Sequence, residues 1–515
     1  MIRDLLQVRP EPEVTADVCI VGAGAAGIIL AVELVRLGKR VFLLDGGGLE
    51  IEEEAQEPYQ SELAGLHHKG IHTGRFRAKG GTTKRWGGQI LDLDSQDFEV
   101  RPAVPGSGWP FHKSALDPYY ERALVLEGLA DVVRSDDSVW RQIGLEPPSF
   151  SDLQPYFSRW CPEPDFSYLH RQVLEDSSSL TVWLHTNAVE PIFENETMRA
   201  IKCRTQTGIE AVFSAREFIF CLGTIESSRF FLQPVMAQHP WNRSGLLGKH
   251  FQDHIDCNVA AVEPLDRRKF HQTFDNVFSR GFKYHPKLRL SPDQQAEQGT
   301  LTVAGTFNFI SDSAESLNKV KSAAKYLLRG RLSELHTNDL GLIVLNLPMM
   351  LRQAWRYSVE HRIYNPPDGQ ILFRVHCEQE PLSKSTITLA NGRDSLGMLR
   401  TRLDWQISER EIDTIRKFVP IVQQSLSSLA RLTPDVDLMA GNDAAFIAKC
   451  DDSNHHMGGM RMATSPADGV VDPDLLLFGT SNVYICSSAV FPTSGFSNPT
   501  HTLLALAVRL ADHLS

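Results

Sequence analysis

Two short segments near the C-terminal end of this 515-residue chain carry residue types able to hold and move a proton. Residues 453–462 read SNHHMGGMRM, and residues 486–502 read CSSAVFPTSGFSNPTHT. The first offers His455 and His456; the second offers Asn498, followed by Pro499 and Thr500. Histidine titrates near neutrality and can take a proton from a hydroxyl group. An amide can hydrogen-bond the same oxygen without competing for that proton, and so fix its direction. The intervening VVDPDLLLFGTSNVYI reads as strand-like, which predicts that both polar segments reach one sheet edge. On residue type alone the two histidines are equivalent, and an adjacent pair in an arbitrary chain is more often packing than catalysis.

The elements that must position them begin at the other end. Residues 17–45, DVCIVGAGAAGIILAVELVRLGKRVFLLD, predict a strand over Val18–Val21, a turn Gly22-Ala23-Gly24-Ala25-Ala26-Gly27, a helix, and a second strand over Val41–Leu44. The glycines allow a tight turn, close backbone approach to a pyrophosphate and close helix–strand packing, with phosphate at the positive end of the helix. Asp45 stands where a carboxylate accepts hydrogen bonds from ribose hydroxyls, and Gly46 follows it. A dinucleotide is implied, FAD and NAD being equally compatible with this motif. A second cluster, Arg77-Ala-Lys-Gly80-Gly81-Thr82-Thr83-Lys84-Arg85-Trp86-Gly87-Gly88, suits neither a helix nor a strand interior and fits a backbone pressed against a flat ligand.

Together GAGAAG, GGTTKRWGG, the strand-like FIFCLGTIESSR (Phe218–Arg229), GKHFQDH (Gly248–His254) and the final sixty residues resemble the glucose-methanol-choline (GMC) oxidoreductase family, in the family's order along nearly the whole chain. The resemblance implies FAD and a two-domain α/β fold. A Rossmann-like FAD-binding domain is expected from residues 1–110, 170–255 and 445–515, with a connecting or lid segment at 111–169. An α+β substrate domain with a mixed or antiparallel sheet is expected at 256–444. The resemblance places Gly22, Gly24, Ala25, Ala26 and Gly27 at the pyrophosphate, and Asp45 and Gly46 at the ribose. It places Arg77, Gly80, Gly81, Thr82, Trp86, Gly87 and Gly88 along the flavin and diphosphate, and Val189 at the adenine through its backbone. Gly223, Ser488, Asn498, Pro499 and Thr500 complete the cofactor set, the last two against the flavin pyrimidine ring. Arg85 stands where some relatives attach FAD to a histidine, so FAD is expected to be non-covalent.

Family spacing selects His455, three positions before Gly458-Gly459, as the catalytic histidine and pairs it with Asn498. Alcohol oxidation by a flavin removes the hydroxyl proton as a hydride leaves carbon; His455 is the expected base and Asn498 the orienting group. Asp253-His254 is expected to be a structural turn, His501 a structural residue, and Cys486 a small buried substitution with no resolving cysteine close in sequence. The pattern HHMG-x-x-RM with SSAVFPT-x-G-x-x-NPT is nearest the pyranose-oxidase-like, glycoside-oxidising branch. The expected substrate is therefore a small-molecule alcohol, a secondary ring hydroxyl of a sugar or glycoside oxidised to a ketone. A sterol, a polyol or a secondary-metabolite intermediate is the alternative, and a hydroxynitrile-lyase-like enzyme with structural FAD is the alternative from another class. A binding or electron-transfer protein would not need both His455 and Asn498. The electron acceptor is oxygen or another species, and no motif specifies it or the oligomeric state.

A formal charge of −11 opposes a nucleic-acid partner, which requires clustered cations. Eight scattered cysteines without a C-x-x-C pair predict neither a metal site nor a disulfide framework, and suit a reducing compartment. The opening residues lack a signal-peptide pattern, so a cytoplasmic location is expected. The longest apolar run, Leu340–Leu351, is short of the roughly 20 residues that cross a bilayer, so no transmembrane segment is expected. Residues 313–362 carry Lys319, Lys321, Lys325, Arg329, Arg331, Arg352, Arg356 and Arg362 around that run, and read as a solvated helix face, a lid or an oligomer contact, a basic amphipathic pair on a membrane surface being the alternative. Ser408 and Glu411 form a capping box before the apolar stripe Ile412, Ile415, Phe418, Val419 and Val422, expected to be core.

Overall fold

The computed structural model describes residues 1–10, 15–236, 239–310, 347–366 and 369–515. Thr15–Val21 is a strand whose last four residues are buried, and it turns through the glycines into the helix Ala25–Arg36. It lies centrally in an eight-stranded sheet. The order is Ile2–Asp4, Leu180–Leu184, Val41–Leu44, Thr15–Val21, Glu210–Phe220, Thr197–Arg204 and Asn187–Glu194, with Val483–Ile485 also paired to Glu210–Phe220. The first five strands and Val483–Ile485 run parallel; the last two are antiparallel. Parallel strands need covered faces. The apolar side of Ala25–Arg36 packs on the C-terminal helix Pro499–His513, which in turn meets Asp117–Leu126.

The second sheet has nine strands. Its order is Ala430–Pro434, Ile255–Pro264, Gln370–Cys377, Val303–Ile310, Phe282–Leu290, Leu153–Trp160 and Gln89–Ile90, with Val277–Ser279 and Asp451–Asp452 attached at its sides. All its pairings are antiparallel. Alternation along each strand gives two different faces. Ile371, Phe373, Val375 and Cys377 pack toward the helix Glu409–Ser425, whose Ile412, Ile415, Phe418, Val419 and Val422 are buried as the stripe predicts. Ser408 and Glu411 close the capping box at the start of that helix. Arg374 and His376 lie on the opposite face, toward His455. A smaller sheet joins Thr386–Arg393, Leu399–Asp404 and Ser61–Leu63. The molecule thus combines a Rossmann-like α/β unit with an α+β unit, each sheet having its own hydrophobic cluster.

Several elements differ from expectation. Phe218–Arg229 is a strand only to Phe220; Gly223, at φ +74°, opens the helix Gly223–Leu232. Of VVDPDLLLFGTSNVYI only Val483–Ile485 is a strand, because the Asp472 carboxylate accepts the backbone N–H of Asp474 and Leu476 and bends the chain before it. Leu153–Trp160, expected in the connecting segment, is a member of the nine-stranded sheet, where it pairs with Phe282–Leu290. Lys319, Lys321, Lys325, Arg329 and Arg331 and most of the apolar run lie outside the described residues. Beyond them Arg356 donates to Asp275 at 3.0 Å and Arg362 to the Gln272 carbonyl at 3.1 Å, so these two arginines are anchored inward. Among the described residues no helix is long and apolar enough to cross a membrane.

Candidate active site

One cleft joins the glycine motifs to the C-terminal segments. Its empty volume, mouth included, is about 1500 Å³, and it is lined by Gly22, Gly24, Ala25, Ala26, Asp45, Gly46, Arg77, Gly81, Thr82, Trp86, Gly223, His455, His456, Ser488, Pro499 and Thr500, among others. Three helices begin on its wall, at Ala25, Gly223 and Pro499, and none has a side-chain cap. Each therefore turns unpaired backbone N–H groups and the positive end of its dipole toward the same space. The glycines are required for backbone reasons. A Cβ on Gly22, at φ +108°, would stand 2.5 Å from the Cys221 carbonyl oxygen, and one on Gly27 would stand 1.9 Å from the Gly22 carbonyl oxygen.

Asp45 is buried, and burial raises its pKa. Its carboxylate accepts N–H from Ala23 at 3.0 Å and from Gly47 at 2.9 Å, tying the two loops of this wall together. Arg77 donates to the Asn187 side chain and lies over the Tyr59 ring, and its Nε, though buried, has no hydrogen-bond partner. Uncapped helix ends, an orphaned guanidinium nitrogen and the open space at Gly24 and Gly223, which an added Cβ would enter, make this cleft fit an elongated anionic dinucleotide such as FAD. Gly27, Gly80, Gly87, Gly88, Val189 and Asn498 stand off the lining, Asn498 being turned to His455. Gly27 packs the helix on the turn, Gly80 takes a left-handed turn at φ +105°, and Gly87 and Gly88 pack against Trp160 and Cys161. At the position expected for Val189 the lining is made by Thr186, Asn187 and Ala188, because the strand ends at Leu184 and His185, at φ +50°, redirects the chain. Arg85 is exposed and lies outside the cleft lining.

At the far end the two C-terminal segments are zipped together. Gly458, Met460 and Met462 donate N–H to the carbonyls of Ser488, Ala489 and Val490 at 3.1, 2.9 and 2.9 Å. Thr224 and Ser488 hydroxyls both donate to the His456 carbonyl, at 2.6 and 2.7 Å. This brings Asn498 Nδ2 to 2.9 Å from His455 Nε2. Asparagine at a helix N-cap ordinarily bonds the first turn; here Asn498 makes no such bond and spends its side chain on His455. On the other side of the ring, His455 Nδ1 lies 2.9 Å from His254 Nδ1. With the Asn498 amide donating to Nε2, His455 carries its proton on Nδ1 and gives it to His254, which leaves a lone pair on Nε2.

The histidines here are held neutral. Burial, then the charges of His254, His376, Lys287 and Arg374, push His455 well below its ordinary range. Burial lowers His254 to about 4. His456 turns the other way, its ring beside His68 and its Nε2 3.8 Å from Asp253 Oδ2. His68, Asp253 and His456 lie within metal-ligating range of one another. However, His68 Nδ1 accepts N–H from Ile71, so its Nε2 carries a proton and donates to Asp253 at 3.1 Å, where an ion would need a lone pair. Asp253 Oδ1 accepts N–H from His254, Ser453 and His455 at 2.7, 3.2 and 3.0 Å. The Asp253-His254 turn is therefore a structural junction that also anchors the His455 backbone and touches its ring. The family motif supplied the turn; the contact between two rings 201 residues apart left no sequence signal. His501 is buried against Glu127 at 2.8 Å, away from the cleft. Cys486 is buried, and strand pairing sets it beside Cys221, a neighbour that sequence distance concealed.

Residues 381–507 match the family model described as GMC oxidoreductase. That C-terminal region is of the GMC oxidoreductase type. Over nearly its whole length it is 21% identical to 2-methyl-1,2-propanediol dehydrogenase of Mycolicibacterium austroafricanum, covering 97% of this chain and 95% of that protein. It is also 21% identical to the fructose dehydrogenase large subunit of Gluconobacter japonicus, with 97% of each covered. The solved pyridoxine 4-oxidase of Mesorbium loti shares the fold, with a TM-score of 0.59 at 16% identity over 97% of this chain and 99% of that one. With this region and full-length relatives that are dehydrogenases, the protein is an FAD enzyme that oxidises CH–OH donors, and the cleft is where its own residues would hold that cofactor.

Proposed function

We propose that this enzyme oxidises a secondary ring hydroxyl of a sugar or glycoside to a ketone, with His455 as the base. The observation that carries the reading is the pairing of His455 Nε2 with the Asn498 amide at 2.9 Å, at the cleft end lined by Ser488, Pro499 and Thr500. Bound FAD supplies the hydride acceptor. His455, neutral in its buried setting, takes the hydroxyl proton at Nε2, and the Asn498 amide turns to the substrate oxygen and holds the carbinol in one orientation. The resulting imidazolium keeps its Nδ1 proton on His254, while the Asp253 carboxylate fixes the backbone that carries the ring. Asp45, Arg77 and the three helix N-termini would hold the dinucleotide, without a covalent bond, since Arg85 replaces any attaching histidine and lies outside the lining. Eight unpaired cysteines suit a reducing compartment and a cytoplasmic place of action.

Similarity to a fructose dehydrogenase subunit along the whole chain supports a sugar-like donor. The test is anaerobic mixing of the FAD-loaded enzyme with pyranoses, glycosides, polyols and sterols. Flavin bleaching by a pyranose or glycoside, with a product lacking two hydrogens, is expected. Bleaching confined to sterols or acyclic alcohols would refute the sugar assignment.

A further inference from the structure

The face of the nine-stranded sheet turned toward His455 holds a cation that the alcohol chemistry does not use. Lys287, in the strand Phe282–Leu290, stands directly across from Tyr156 of Leu153–Trp160 and is only 7% exposed. Other charges on this face are matched: Arg374 with Asp256 and Arg289 with Asp94. Lys283 lies over the Trp160 ring at 3.6 Å. Among the described residues the Lys287 ammonium has neither a hydrogen bond nor a carboxylate within 4 Å, Asp256 acting on it only from farther away. Burial lowers its pKa to about 8, so it remains a cation at neutral pH. A buried ammonium without a counter-ion is costly, and the cost is relieved by an anion.

Neutral donors surround it. The Tyr156 hydroxyl and His285 Nδ1 are buried without partners, and His285 Nε2 is engaged by the Thr306 hydroxyl at 2.6 Å. His285 is two residues from Lys287 on one strand, hence on the same face. The group sits beside the reacting centre. Lys287 is among the charges that hold His455 down, and Tyr156 packs on Phe496 at 5.8 Å, two residues before Asn498. Solvent reaches this face at His376 and Arg374, whose side chains are 21% and 41% exposed.

We propose that Lys287, with Tyr156 and His285, binds a carboxylate carried by the substrate, so that the alcohol oxidised is a hydroxy acid of the sugar-acid class. One uncompensated cation with neutral donors matches a monoanion rather than a phosphate dianion, and a neutral sugar would leave the ammonium buried alone. An anion here also removes part of the positive field that suppresses protonation of His455, so substrate binding makes that base stronger. The inference rests on the reading of His455 and Asn498 as the alcohol site.

Anaerobic calorimetric titration of the FAD-loaded enzyme, its flavin reduced beforehand, with glucuronate, glucose and glucose 6-phosphate tests it without turnover. Glucuronate is expected to bind at least about tenfold more tightly than glucose, the range of one charge-assisted bond. Lys287→Met is expected to abolish that preference and Tyr156→Phe to reduce it. Equal binding of glucuronate and glucose, an unchanged preference in Lys287→Met, or tighter binding of the phosphate overturns the carboxylate assignment. Failure of every alcohol to bleach the flavin would instead overturn the oxidation reading and leave the titration result standing.

Discussion

The cofactor cleft and the sheet face opposite it are built from different materials. Backbone makes the cleft: three uncapped helix N-termini converge there, with Gly22 and Gly27 packed so closely that a single methyl group would meet a carbonyl oxygen. Side chains make the other wall. Lys287, Arg374 and His376 come from two different strands, His254 from the turn before a third, and all act on His455, which comes from a loop. A backbone wall suits a large ligand recognised by its phosphates and flat ring, and tolerates little change at its glycines. A side-chain wall suits a variable substrate, because each residue changes without disturbing the sheet beneath it.

The contrast can be broken first at Gly27. Gly27→Ala places a Cβ against backbone that has no room to yield, and should cost about 3 kcal/mol or more together with loss of bound FAD. Thermal unfolding and flavin content after gel filtration measure it; a yellow protein of unchanged stability would show that the turn is looser than described. The side-chain wall should respond in rate while the fold persists. Asn498→Ala, whose side chain caps nothing in its helix, should leave folding and flavin content intact and slow anaerobic flavin reduction about 100-fold. A parallel loss of stability would show that Asn498 is structural. The smallest effect is in pH. His455 must be neutral to act, so the rate is full above its pKa and falls as pH drops through it. Because burial and neighbouring cations depress that pKa, the acid limb of kcat/KM should lie well below pH 6.5. A limb at or above 6.5 would contradict the held-neutral histidine.

The same contrast governs what the residues disclosed before folding. Gly22, Gly24, Gly27 and Asp45 form a contiguous pattern with fixed spacing, and strand, turn and helix follow it as read. His455 and Asn498 also sit in local motifs, and the structure brings them within hydrogen-bond distance. Lys287, Arg374 and His376 are ordinary members of alternating strands, and only register across several antiparallel pairs brings them near His455. Val189 was displaced from the lining by a left-handed residue, His185, that local propensity does not favour. Leu153–Trp160 joined the substrate sheet because its partner strand lies more than a hundred residues away, beyond any local signal.

The central claim is that His455, not its neighbour His456, receives the substrate proton. Anaerobic stopped-flow reduction of the bound flavin, compared in His455→Ala and His456→Ala, tests it most directly. The geometry predicts a fall of about 100- to 10,000-fold in His455→Ala, with flavin still bound, and a smaller fall in His456→Ala, whose ring faces His68 and Asp253. Near-normal reduction in His455→Ala, or the larger loss in His456→Ala, would contradict the account.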